Sequence, residues 1–213
     1  MEKRTKTNGI KWLFNILRHG LFLHGITNRL ANIGILIIPY YWVQEGISDS
    51  KPPEIKENPS DYTLKHLGLE EVKSVCNKLP GLNNQEIIEG FNNGQLCVGL
   101  LCKDEIAAFM FIELNDFIFM KRKFKLKDNE AYLLNMWTFD SYRGKNLAPY
   151  LRYQSYLLLN EMGRNTPYSV SAYLNKSTLK FKQKLNAKNL KLYMFIELFK
   201  KCHWNFVIKN YSD

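Results

Sequence analysis

Cysteine is scarce: the 213 residues hold four, Cys76, Cys97, Cys102 and Cys202, and no two of them stand in C-x-x-C spacing. That excludes a disulfide-stapled scaffold and a thiolate zinc site, and the four read as reduced thiols of an intracellular, cytoplasmic protein. Histidine is as thin, with His19, His24, His66 and His203 too scattered for metal ligation, so no metal is expected. Long apolar runs are missing too. The longest, Ile33 to Val43, has 11 residues, whereas about 20 are needed to span a bilayer. A secretory leader is not expected either, because Ile10 to Leu23 is broken by Lys11, Asn15, Arg18, His19 and Gly20. Acidic residues are in deficit, 20 against 30 Lys plus Arg, leaving a net charge of +10. Such an excess calls for a polyanionic partner: nucleic acid, an anionic membrane, or a nucleotide-like ligand. Nucleic acid is the least supported, since no helix-turn-helix, RNP or zinc-finger pattern occurs.

What the chain does have is 46% apolar and 14% aromatic residues, enough to exclude disorder and to build one domain with an appendage. The segment Gly46 to Asp61 gathers Ser48, Ser50, Pro52, Pro53, Pro59 and Ser60 without apolar periodicity. It reads as a linker, dividing the chain into an extension over 1–50, a linker over 51–61 and a domain over 62–213. Within that domain the spacing predicts a strand over Tyr62–His66 and helices over Leu69–Leu79 and Asn84–Phe91. Strands follow at Gln95–Cys102, Ile106–Leu114 and Ala131–Phe139, the last apolar enough to be covered on both faces. A helix runs from about Leu147 to Met162, with Pro149 tolerated in its first turn and Gly163 as its stop. Then come a strand over Tyr168–Leu174, a helix over Ser177–Leu185 and a strand over Leu190–Phe199. Lys121, Arg122, Lys123, Lys125 and Lys127 read as a solvated loop or protected edge strand, or else as a mark for an acidic partner.

A buried strand that enters a basic, glycine-containing turn and then a helix suits a pyrophosphate, because the first N–H groups of a helix have no intrahelical partners and its dipole favours anions. Here the turn is Arg143-Gly144-Lys145-Asn146-Leu147-Ala148. It resembles the R/Q-x-x-G-x-G/A signature of the GNAT superfamily of acyl-CoA-dependent N-acetyltransferases, with Arg143 at the first position, Ala148 at the last, and Asn146 in place of the central glycine. The run from Asn175 to Asn186 resembles the family's strand-five exit and fourth helix, again with Asn186 where a glycine is usual and Ala187 where a phenylalanine is. The resemblance covers Asp61 to about Leu198. It implies an α/β (α+β) fold with a mixed, mostly antiparallel sheet flanked by helices, and acetyl-CoA as co-substrate.

The resemblance further implies that Gly144, Lys145, Asn146, Leu147 and Ala148 hold the pyrophosphate by main-chain N–H groups, with Arg143 and Lys145 adding charge. Trp137 and Thr138 would bond the pantetheine and polarise the thioester, and Asn175 would touch the pantetheine arm from the other side. An ammonium acceptor must lose a proton before it attacks, and Glu113 and Glu130 are the candidate general bases. The family often carries a Tyr on its fourth helix to protonate the thiolate; that place falls at Lys182 or Phe181, and neither is a Tyr. Several of these residues also have plain structural readings: Arg143 and Lys145 as a basic loop, Asn175 as a helix N-cap, and Trp137 as a core side chain whose main chain still serves.

The extension allows two readings. Residues 1–34 hold six Lys or Arg and one acid, half of the excess charge. They could form a basic amphipathic helix lying on an anionic membrane at its inner face, or a helix packed on the domain and followed by an extra strand at Ile35–Val43. The remaining excess lies near Lys121–Lys127 and along Lys176–Lys201. The function expected is N-acyl transfer to a small amine, an amino sugar among the options. The rival is a non-catalytic member of the same fold that binds a membrane surface or another polyanion.

Overall fold

A computed structural model describes residue 27 and residues 29–46, 52–76 and 84–211. Among the described residues, after a helical stretch at 27 and 29–32, the strands and α-helices follow one another as β1 (Ile35–Gln44), β2 (Tyr62–His66), α1 (Leu69–Cys76), α2 (Asn84–Asn92), β3 (Leu96–Cys102), β4 (Glu105–Glu113), β5 (Phe117–Phe119), β6 (Arg122–Phe124), β7 (Glu130–Thr138), α3 (Leu147–Glu161), β8 (Thr166–Ala172), α4 (Lys176–Lys184), β9 (Lys188–Leu198) and β10 (Cys202–Asn210). Eight strands form one sheet in the order β10-β9-β1-β8-β7-β4-β3-β2. Every neighbouring pair is antiparallel except β7 and β8, which are parallel. The mixed, mostly antiparallel sheet flanked by helices is the one expected.

Alternating side chains send the sheet's apolar residues to two covers. On one face Val98, Leu100, Met110, Ile112 and Leu133 pack with Leu147, Leu151 and Leu159 of α3 and with Leu185 at the end of α4. Each such buried Leu contributes roughly 1.5–3 kcal/mol. On the opposite face α1 and α2 set Val72, Val75 and Ile87 against Cys97, Phe109 and Phe111. Beside them the β5–β6 hairpin covers an aromatic patch, with Trp42 stacked on Phe124 at 4.7 Å and Phe117 on Tyr132 at 4.0 Å. Gly163, with φ +75°, ends α3.

Two hairpins escape the sequence reading. The stretch around Lys121 is a hairpin whose lysines 121, 123, 125 and 127 are exposed while Phe124 is buried. Its turn, Met120 and Lys121, has φ of +48° and +58°, and the β9–β10 turn, Phe199 and Lys200, has +51° and +58°. Paired positive φ values are those of a tight hairpin turn, which the sequence usually announces with Asn-Gly; here it does not.

β1 lies inside the sheet, antiparallel to β8 on one side and to β9 on the other. The sheet therefore takes in residues on both sides of the 51–61 segment, and the strand read as an appendage is integral to it. A chain beginning at residue 52 would leave β8 and β9 with unpaired edges over the whole span of β1. Such a chain is expected to show no cooperative thermal transition by circular dichroism, while the full chain shows one. No helix among the described residues is long and apolar enough to cross a membrane. The membrane-surface reading of residues 1–34 falls almost wholly outside the described residues.

Candidate active site

The strand, turn and helix read from the sequence lie in line: β7 ends at Thr138, a 3-10 turn covers Asp140–Tyr142, and α3 starts at Leu147. Gly144 has φ +83°, and a Cβ placed on it would meet no atom within 4 Å. Asn146 is the N-cap of α3, at φ +66° and ψ +22°. That left-handed conformation is one Asn tolerates better than most residues. Its side-chain Nδ2 donates to the Glu54 carbonyl at 2.6 Å, and Lys56 N–H donates to the Lys145 carbonyl at 3.1 Å. Lys145 also pairs with Glu57 at 3.0 Å. Segment 54–57 is thus bonded to the turn through its main chain and Glu57. Arg143 donates from Nε to the Thr138 carbonyl at 3.2 Å, pairs with Asp140 at 2.9 Å and lies 5.5 Å from the centre of the Trp137 ring. Trp137 is 36% exposed, so its expected place in the core is corrected: β7 turns this side chain outward.

β7 and β8 pair over Glu130–Leu133 and Thr166–Ser169 and then part. The cause lies in β7. Phe109 pairs with Trp137 but Phe111 with Leu134, so Asn135 and Met136 stand opposite Met110 alone, and Asn135 has φ +48°. This is a β-bulge, which bends its strand and adds twist. β8 meanwhile stays straight against β1, in register from Tyr168 to Ala172. The gap so opened is a cavity of about 260 Å3. β7 lines it with Asn135 and Met136, β8 with Ser171 and Ala172, α4 with Thr178 and Lys182, and α3 with Arg152. Asn175 lines it too, while its Oδ1 accepts the Thr178 N–H at 3.1 Å and the Ser177 hydroxyl at 2.8 Å. The N-cap role and a place at the cavity therefore coexist.

At the inner end of the gap sits a buried charged cluster that sequence reasoning missed. Glu45, just beyond β1, is 4% exposed. It accepts from the Tyr156 hydroxyl at 2.5 Å and from the Ser169 hydroxyl, and it pairs with Lys182 at 3.1 Å and Arg152 at 3.5 Å. Burial pushes the Glu45 carboxyl upward, but Arg152 and Lys182 beside it and the two hydroxyl donors hold it down at about 2. Burial pulls the Lys182 ammonium down, Glu45 supports it and Arg152 repels it, leaving it at about 8. Burial and the neighbouring Glu45 drive the Tyr156 phenol far up, so it serves only as a donor. The signals for this cluster were present but dispersed: Arg152 sits next to Leu151 on the apolar arc of α3, and Lys182 at the place where the resemblance expects a Tyr.

Glu113 and Glu130 lie elsewhere. Glu113 ends β4 beside Tyr132 and accepts from Leu114 N, Asn115 N and Gln95 Nε2. Glu130 begins β7 and accepts from Lys127 N and the Tyr168 hydroxyl. At about 3.3 Å per residue, the start of β7 is some 15–20 Å from Asn135 and Met136, and neither carboxylate lines the cavity. A larger depression of about 450 Å3, lined by Glu71, Asp104, Glu105 and Tyr142, lies at the β3–β4 turn and shares no residue with the cleft. Among the described residues no cluster of His, Cys, Asp and Glu could hold a metal ion.

No family model matches the sequence, and no curated protein sequence matches it significantly. Solved structures do match. A putative GNAT-family acetyltransferase from Novosphingobium aromaticivorans superposes with a TM-score of 0.53 at 19% identity, over 78% of this chain and 66% of that one. A GNAT-family acetyltransferase from Colwellia psychrerythraea gives 0.56 at 13% identity, over 79% and 59%. A GCN5-related N-acetyltransferase from Kribbella flavida gives 0.53 at 13% identity, over 82% and 63%. The chain has the GNAT fold, and it spans a little under two thirds of the length of these relatives.

Proposed function

We propose that the protein is an acyl-CoA-dependent N-acyltransferase that binds its donor between β7 and β8. The observation that carries this reading is the splay of those two parallel strands around a cavity, next to a strand–turn–helix whose glycine leaves open space. The pyrophosphate would lie on the N–H groups of Gly144 to Ala148 at the start of α3, favoured by the helix dipole. Pantetheine would run down the gap past Asn175, and the thioester would sit near the bulge, where the parted strand leaves main-chain groups of β7 free to polarise a carbonyl. Acetyl is the simplest acyl group and a small amine the simplest acceptor.

In this reading the amine nitrogen attacks the carbonyl carbon, the C–S bond breaks, and its electron pair goes to sulfur. The group on α4 that can return a proton there is Lys182 rather than a tyrosine. No carboxylate lines the cavity among the described residues, so the acceptor loses its own proton to water, and positioning supplies most of the rate. Titration calorimetry tests the proposal. Acetyl-CoA is expected to bind at micromolar levels, and Arg143→Glu to weaken it by about tenfold or more; no binding at millimolar acetyl-CoA would refute the reading. Because Glu57 holds Lys145, Glu57→Gln is expected to tighten CoA binding by about two- to fivefold, an effect that shrinks as salt rises.

A further inference from the structure

The interior of the β7–β8 cavity carries more positive charge than the protein neutralises. The Arg152 and Lys182 side chains both line it, 5% and 3% exposed. They face one carboxylate, Glu45, and its capacity is used. Its Oε1 takes the Ser169 hydroxyl and Lys182, and its Oε2 takes the Tyr156 hydroxyl and stands 3.5 Å from Arg152 Nε. Lys182 is saturated as well: its ammonium reaches the Ser169 and Ser171 hydroxyls, the Val170 carbonyl and Glu45. Arg152 differs, because both Nε and Nη1 are buried with no hydrogen-bond partner.

Buried N–H groups of a charged side chain are costly to leave unmatched. A guanidinium is also the donor fork that matches a carboxylate with two parallel hydrogen bonds. Hydroxyls and carbonyls from the surrounding elements satisfy Lys182 and Glu45, so within this cluster the unmet demand falls on Arg152. We infer that Arg152 forms a carboxylate subsite in the cavity, and that one of the two molecules meeting there carries an anionic carboxylate. The carboxylate belongs either to the far end of a short dicarboxylic acyl group or to an amino-acid acceptor. The volume of about 260 Å3 suits a short unit. The inference rests on the acyltransferase reading only for which molecule brings the carboxylate.

The test compares ligands on the wild-type full-length chain by titration calorimetry. If the donor brings the carboxylate, succinyl-CoA binds about tenfold or more tightly than acetyl-CoA. If the acceptor brings it, the two esters bind alike, and the acetyl-CoA complex binds glycine about tenfold more tightly than glycinamide. In either case Arg152→Met and Arg152→Lys, with melting temperatures recorded alongside, remove the preference while acetyl-CoA still binds. Acetyl-CoA binding with no preference in either comparison overturns the subsite and leaves the acyltransferase reading standing. If neither ester binds, that reading falls, and free succinate against neutral succinamide decides the subsite: chemical-shift changes at Arg152 with succinate alone support it, and equal or absent changes overturn it.

Discussion

Replacing Glu45 by alanine is expected to lower the free energy of unfolding by about 3–5 kcal/mol, because it leaves Arg152 and Lys182 buried with no counter-charge. Urea denaturation measures the loss. The loss belongs to unpaired charge rather than to missing volume, so a second variant separates the two. Changing Glu45, Arg152 and Lys182 together to methionine is expected to recover most of the stability. If the triple variant is as weak as Glu45→Ala, packing and not electrostatics governs the site. The same cluster sets a pH dependence. Glu45 titrates near 2 in the folded protein against 4.5 as its ordinary value. Its contribution is therefore complete above 4.5 and is lost as pH falls toward 2. Lys182 titrates near 8 folded against 10.5, so the unfolded chain holds that proton more tightly and stability climbs as pH rises above 8. Buried groups of the other sign act against this: the Cys76 and Cys97 thiols, pushed by burial above their ordinary value of 9.0, and the Tyr40 phenol, lifted by burial to about 12 from its ordinary 10, so the Lys182 contribution is read as a difference between wild type and variant. Between pH 8 and 10 the stability of the wild type should rise relative to that of Lys182→Met.

The second large effect is expected at Gly144. Valine there must adopt φ +83°, a strain of about 1–2 kcal/mol. Its Cβ meets no protein atom within 4 Å, so the fold is expected to survive. The branched side chain instead occupies the space in front of the first turn of α3. Acetyl-CoA affinity should fall by about a hundredfold while urea denaturation shows only the small backbone cost. An unchanged affinity would place the donor's phosphates somewhere other than this turn.

The turn from Arg143 to Ala148 was legible in the sequence because its meaning is local: an apolar strand, a glycine that can take positive φ, and a helix with Pro149 in its first turn. Apart from the β5–β6 hairpin, the order of strands and helices from Tyr62 to Leu198 was legible for the same reason, through periodicity. The charged cluster was not, because Glu45, Arg152, Ser169 and Lys182 come from four separated stretches and only the pairing of β1 with β8 brings them together. Glu113 and Glu130 show the opposite failure. Glu130 sits on β7, which borders the cleft, and Glu113 on β4 beside it, but the direction of β7 puts both at the closed end, and direction is a property of the sheet rather than of either residue. The two hairpins at Met120-Lys121 and Phe199-Lys200 were hidden because their turns use residues that seldom take positive φ.

The place of β1 in the sheet also orders events during synthesis. Chains emerge from the ribosome N-terminus first, and units fold as their partners become available. β1 leaves early, yet both strands it joins lie in the last third of the chain, and Glu45 is separated from Tyr156 and Ser169 by 111 and 124 residues. Until β8 and β9 appear, a strand bearing Ile37, Tyr40, Trp42 and Val43 has no neighbour to join. The newborn chain thus carries an unpaired sticky edge until those strands emerge. Sheet closure and completion of the cleft between β7 and β8 become one event, the insertion of β1 beside β8.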